Sequence, residues 1–219
     1  MTRLPIVLLI LFSFSSFAKS IPCDENSVDF LSGQVIKITD GDTINVGTPE
    51  NYYKIRLLNI DAPETNFQGQ SQGVWGEKAK ENLVTLIPLG TQVTVKFDSQ
   101  KCDIYKRWLG TIYESDTQLD VNAQQVKDGL AVLYCIYPNI SKCKEYSVYQ
   151  KEAMDEGISF VTDPTIELPY LFRHNGINKK PVADLNDYKV YPPEYMENIP
   201  VYLRLFFMSW KDVKPPYHK

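Results

Sequence analysis

Apolar and polar residues alternate along the first half of the chain at the period-two spacing of half-buried strands. Residues 32–39 (SGQVIKIT) alternate, Asp40-Gly41 reads as a tight turn, and residues 43–46 resume the alternation. Gly47, Pro49 and Asn51 mark a second turn, and residues 52–60 (YYKIRLLNI) make a third strand, so the three predict a meander. Residues 61–73 contain Pro63, Gly69 and Gly73 and read as loop. Residues 74–87 (VWGEKAKENLVTLI) place apolar side chains near helical spacing among good helix formers, and Pro88-Leu89-Gly90 stops that helix.

Residues 91–97 (TQVTVKF) alternate again as a fourth strand, and residues 107–113 (RWLGTIY) form a fifth after a polar loop. A short helix fits residues 120–128, with Gly129 as its C-cap; residues 131–137 are apolar and extended, and residues 145–160 fit a final helix. Five strands with a helix between the third and fourth match a small Greek-key barrel of the OB type, a mainly β fold with about three helices (α+β). Strands clustered at the front of the chain disfavour an alternating parallel βαβ sheet.

Both ends of the chain depart from this pattern. Residues 4–17 (LPIVLLILFSFSSF) carry no charge and follow Arg3, with Ala18 and Ser20 offering small-residue cleavage positions. The run is short for a membrane span, so residues 1–18 read as a secretory signal peptide, and no stable membrane span remains after its removal. Cleavage after Ala18 and export to a periplasm or out of the cell are the expectation. From residue 163 prolines recur at 164, 169, 181, 192, 193, 200, 215 and 216 among tyrosines and phenylalanines. That density opposes regular elements, while the aromatic content opposes disorder. Residues 27–162 therefore read as the barrel domain. Residues 163–219 read as an ordered extension laid on it, in which residues 201–210 (VYLRLFFMSW) could form one short element.

Composition narrows the chemistry. The formal net charge of −4 removes bulk attraction to nucleic acid, so any such contact needs a local basic patch. His174 and His218 stand far apart, which excludes a catalytic histidine pair and a multi-histidine zinc site. Four cysteines (Cys23, Cys102, Cys135 and Cys143) in an exported chain suggest two disulfides. Of the three pairings, the short Cys135–Cys143 loop, leaving Cys23 with Cys102, is preferred. Asn139-Ile140-Ser141 matches a glycosylation acceptor.

Three charged clusters remain. Asp42 and Asp61 offer hard oxygen ligands for one Ca²⁺ or a similar ion. Arg56 and Arg107 offer planar, permanently charged forks suited to phosphate oxygens. Glu64, three residues beyond Asp61, can hold a water. Metal, base and two arginines are what phosphodiester hydrolysis requires.

The runs DGDT, IRLLNIDAPET, YKRWLG and VNAQQVKDGLA, in this order over residues 32–160, resemble the staphylococcal nuclease (thermonuclease) family. The resemblance implies an OB-fold barrel and Ca²⁺-dependent cleavage of DNA and RNA that leaves 3′-phosphate ends. It implies that Asp42, Asp61 and the backbone carbonyl of Ala62 bind calcium. By the same resemblance Arg56 and Arg107 are catalytic, Glu64 is the general base, Tyr105 lies near the substrate phosphate and Tyr137 holds a base. Ile104 stands where the family has a lysine, Cys135 where it has a second base-holding tyrosine, and Trp108 where it has a small residue. The expected protein is a monomeric exported nuclease. The rival reading is an OB-fold module that binds nucleic acid without cutting it, which has no need of the full acid and arginine set.

Overall fold

The computed structural model describes residues 19–48 and 50–218; the leader expected over residues 1–18 lies outside the described residues. Seven strands lead the barrel part of the chain: β1 (Lys19–Ile21), β2 (Phe30–Asp40), β3 (Thr43–Gly47), β4 (Asn51–Leu57), β5 (Ile60–Asp61), β6 (Gln92–Cys102) and β7 (Trp108–Glu114). Helix α1 (Val74–Leu86) follows β5, α2 (Val121–Lys127) follows β7, and α3 (Cys143–Asp155) follows the short strands β8 (Val132–Leu133) and β9 (Cys135–Ile136). The extension holds α4 (Pro169–Phe172), β10 (Val182–Asp184), β11 (Val190–Tyr191) and β12 (Arg204–Phe206).

β2, β3 and β4 form the expected antiparallel meander. β2 also pairs with β6, β6 with β7, and β7 returns to β4 in parallel, with Arg56 opposite Leu109. That last pairing closes five strands into the OB barrel. Register shifts at Val35/Lys37 and Ile38/Asp40 give β2 the bends that let so few strands close. Val35, Ile44, Val46, Ile55, Leu57, Val93, Val95 and Ile112 fill the interior from alternate positions, and Ala79 and Leu83 of α1 join the same core with Ile87 just past the helix. Gly76 allows α1 to lie on the site loop, since a Cβ there would stand 2.5 Å from the Glu64 carbonyl oxygen.

Boundaries differ from the expectation at four places. The third strand stops at Leu57, because the chain turns at Leu58-Asn59 with Asn59 at φ 63°. The fourth runs on to Cys102 through residues expected as loop, with Cys102 paired to Trp108. The final helix begins at Cys143 and ends at Asp155, because Gly157 takes a left-handed φ of 72° and turns the chain out of the helix. Residues 201–210 do not form one element: the chain makes a 3₁₀ turn (Val201–Leu203), then β12, then a bend before a second 3₁₀ turn (Trp210–Asp212).

The extension is built into the barrel's flank. β12 pairs in parallel with β9 and antiparallel with β10, which pairs with β11. Phe206 is fully buried among Val132, Phe160, Tyr170, Val182 and Met196. Ala183, Leu205 and Phe207 pack within the same apolar cluster as the barrel interior. Disulfides join Cys23 to Cys102 and Cys135 to Cys143, and no cysteine among the described residues is free. No helix of the described residues is long and apolar enough to cross a membrane.

This packing ties extension and barrel into one cooperative unit. Phe206→Ala should cost about 3–5 kcal/mol in denaturant unfolding and shift the whole transition. Loss of the extension's structure at a denaturant concentration where the fluorescence of buried Trp108 is unchanged would contradict it.

Candidate active site

The turn before β3 and the loop after β5 bring the acidic residues together. Asp42 is buried, and its Oδ2 accepts the Ala62 N–H at 2.9 Å while its Oδ1 accepts the Thr43 hydroxyl at 3.0 Å. Between β4 and β5 the chain reverses at Leu58-Asn59, with Asn59 in the left-handed region at φ 63°, a conformation asparagine tolerates. The reversal lays Asp61, fully buried, back over the strand that carries Arg56. The VNAQQV run fixes both turns. The Asn122 amide donates to the Leu58 and Gly110 carbonyls at 2.9 and 3.2 Å. The Gln125 amide donates to the Gly41 and Ala79 carbonyls at 2.7 and 2.9 Å.

Arg56 is the cation between the two aspartates. Its Nη1 donates to the carbonyls of Leu57 and Ile60 at 2.8 and 2.9 Å. Its Nη2 stands 3.0 Å from Asp42 Oδ2 and 2.5 Å from Asp61 Oδ1. Two carboxylate oxygens from different elements thus converge on one positively charged atom.

Glu64 lies on the loop that α1 covers. Its N–H donates to Gln72 Oε1 at 3.0 Å, and its carbonyl accepts the Gln72 N–H at 2.8 Å. The side chain is nearly enclosed. Burial pushes its carboxyl up to about 7, with the Arg173 charge pulling down and Asp42 and Asp61 pushing further up. Asp40 lines the same space, and its carboxyl is raised by burial and by the Asp42 charge.

Arg107 reaches the cleft from the turn before β7. Asp103 caps that turn, accepting the Tyr105 and Arg107 N–H groups at 2.8 Å each and Arg107 Nε at 2.6 Å. The Arg107 Nη groups have no protein partner among the described residues, so the fork is held at its base and free at its tip. Tyr105 is largely exposed at the rim, with the Arg107 guanidinium 5.5 Å from its ring centre.

These groups border one cleft of about 910 Å³, walled by Asp42, Arg56, Glu64, Tyr105, Arg107 and, from the extension, Arg173. Asp61 lies beneath it, bonded to both Arg56 and Arg173. Arg173 is the residue that sequence reasoning missed. Its Nη1 stands 2.5 Å from Glu64 Oε1, and its Nη2 stands 2.9 and 2.8 Å from the two Asp61 oxygens. No motif marks it; the aromatic character of its neighbours was the only signal that this segment packs.

Tyr137 is not brought to the cleft. Its ring stacks on Phe207 at 5.3 Å and meets Tyr217 at 5.6 Å, while Tyr134 lines the cleft wall instead. Asn139 is buried, its amide bridging the Gln100 N–H and carbonyl at 2.7 Å each, so the glycosylation motif falls on a structural side chain.

The donor set suits a hard divalent cation: Asp42 and Asp61 are buried carboxylates brought side by side from two elements. Among the described residues no group of three or more His, Cys, Asp or Glu side chains is arranged to hold a metal. An ion held by Asp42 and Asp61 would need backbone and water oxygens to complete its shell.

The family model for staphylococcal nuclease homologues matches residues 54–160. The chain is 32% identical over 201 residues to the endonuclease YhcR of Bacillus subtilis (strain 168), covering 85% of this chain and 16% of that much longer protein. It is 32% identical over 153 residues to a micrococcal nuclease of Shigella flexneri, covering 67% of this chain and 82% of the relative. It is 33% identical over 144 residues to an uncharacterized endonuclease of Escherichia coli O157:H7, covering 66% and 86% respectively.

If Arg56 neutralises the two buried aspartates, Arg56→Met should destabilise the metal-free protein by roughly 3 kcal/mol, because it strands buried charge. Chemical denaturation in chelator measures this; unchanged stability would mean that the aspartates are solvated instead.

Proposed function

Because the chain belongs to the staphylococcal nuclease family, we propose that it is an exported, Ca²⁺-dependent endonuclease that hydrolyses phosphodiester bonds of DNA and RNA and leaves 3′-phosphate ends. The observation that carries the reading is the convergence of Asp42, Asp61, Arg56 and Glu64 at the floor of a cleft into which Arg107 extends a free fork. The apolar run at residues 4–17 and the two disulfides support export.

Asp42, Asp61 and the Ala62 carbonyl would hold the calcium ion, which when bound would supply positive charge to polarise a phosphate oxygen and the attacking water. The rest is the work of the chain's own residues. Glu64, nearly enclosed and with its carboxyl shifted upward, accepts the proton of that water as its oxygen bonds to phosphorus. Arg107, whose fork is free, holds the non-bridging oxygens on which charge accumulates as the bond to the 5′ oxygen breaks, and Arg56, its Nη groups already committed, adds its positive charge from the cleft wall. The leaving oxygen takes a proton from solvent. Buried carboxylates and carbonyls preset the Arg56 guanidinium, and Asp103 presets Arg107, so little reorganisation is required when charge develops. A module that only bound nucleic acid would need neither the paired buried aspartates nor the preset fork.

The direct test is purified protein with plasmid DNA and with RNA, in calcium, magnesium or chelator. Cleavage of both substrates should require calcium. Arg107→Ala should lower kcat roughly 10²-fold or more, as expected for losing a preorganised donor. Near-normal turnover by that variant, or undiminished cleavage in chelator, would overturn the assignment.

A further inference from the structure

The extension places a third guanidinium inside a site that the barrel alone would complete with two. We propose that Arg173 is an internal counter-ion for Asp61 and Glu64, one that occupies these carboxylates in the metal-free protein and gives them up when a divalent cation binds. The inference rests on the reading above that Asp42 and Asp61 hold such an ion.

Arg173 caps α4, and α4 is pinned rather than loosely attached. Tyr170 is buried, stacks on Tyr134 at 4.9 Å and accepts a hydrogen bond from Arg204 Nη1 at 3.0 Å. Gln72, which brackets the Glu64 backbone, also donates to the Glu167 carbonyl at 2.6 Å, tying the Glu64 loop to the segment that leads into α4. The fork therefore reaches Asp61 and Glu64 from a fixed base. One arm takes each carboxylate, the geometry in which arginine outperforms lysine.

Asp42, Asp61 and Glu64 carry three negative charges against the two positive charges of Arg56 and Arg173. Arg56 and Arg173 already take both Asp61 oxygens, and a doubly charged ion added beside them would swing this nearly enclosed cluster from a net −1 to +1, so one guanidinium must withdraw to free an Asp61 oxygen. Arg56 is bound by two carbonyls as well as by the aspartates. The Arg173 guanidinium has no protein partner among the described residues except Asp61 and Glu64. Arg173 is thus the one that yields. It protects the carboxylates from mutual repulsion while the site is empty, and it sets how much calcium is needed to fill it.

Calcium titration by calorimetry, on the full chain and on Arg173→Gln, reads this without any cleavage assay. Arg173→Gln should bind Ca²⁺ roughly tenfold or more tightly, since the ion no longer has to displace a guanidinium from Asp61 and Glu64. Arg173→Lys, which keeps the charge but not the fork, should fall between. In chelator Arg173→Gln should melt below wild type, and calcium should raise its melting temperature by more than it raises the wild type's. Equal calcium affinity in wild type and both variants would overturn the proposal and leave the metal reading standing. Absence of calcium binding in all three would overturn both.

Discussion

One buried carboxylate organises the site. Asp61 has no access to solvent, and its charge persists in the interior only because guanidiniums reach it from two directions. Arg56 comes from the strand beside it and Arg173 from the far end of the chain. Each of these arginines touches a second acid, Asp42 in one case and Glu64 in the other, so the electrostatics of the cluster are indivisible. The turn at Leu58-Asn59, the carbonyls that fix Arg56 and the α2 amides that fix the turns all serve to hold this arrangement.

The fold follows from that need. An OB barrel closed by the β4–β7 pairing sets Arg56 at a seam, next to the turn from which Arg107 projects. The extension then does two things at once. Its aromatic side chains bury the outer faces of β8 and β9, and its short helix delivers Arg173. A segment that packing alone would justify has therefore become a wall of the cleft.

Much of this was legible in the chain. Period-two alternation located the meander, and Gly129 marked the end of α2, where it adopts φ 70° against the Ile158 carbonyl. Of three possible cysteine pairings the short loop favoured the one the structure shows, and the family motifs pointed to Asp42, Arg56, Glu64, Tyr105 and Arg107, all of which line one cleft. What stayed hidden depends on long-range packing. Arg173 lies 109 positions from Glu64 and 112 from Asp61, in a segment whose proline spacing carries no periodic signal. Tyr137 matched a base-holding position, yet the extension supplies Phe207 and Tyr217 as its partners. Asn139 matched a modification motif that reads three residues and cannot register that the side chain is buried against Gln100.

Asp42 and Asp61 hold a divalent cation on this reading, and Arg173 stands in for its charge until it binds. A crystal structure of the protein grown with a divalent cation tests this most directly. Density for the ion should appear bonded to oxygens of both Asp42 and Asp61, with the Arg173 fork drawn off Asp61. An ion bound elsewhere, with that fork still spanning Asp61 and Glu64, would contradict it.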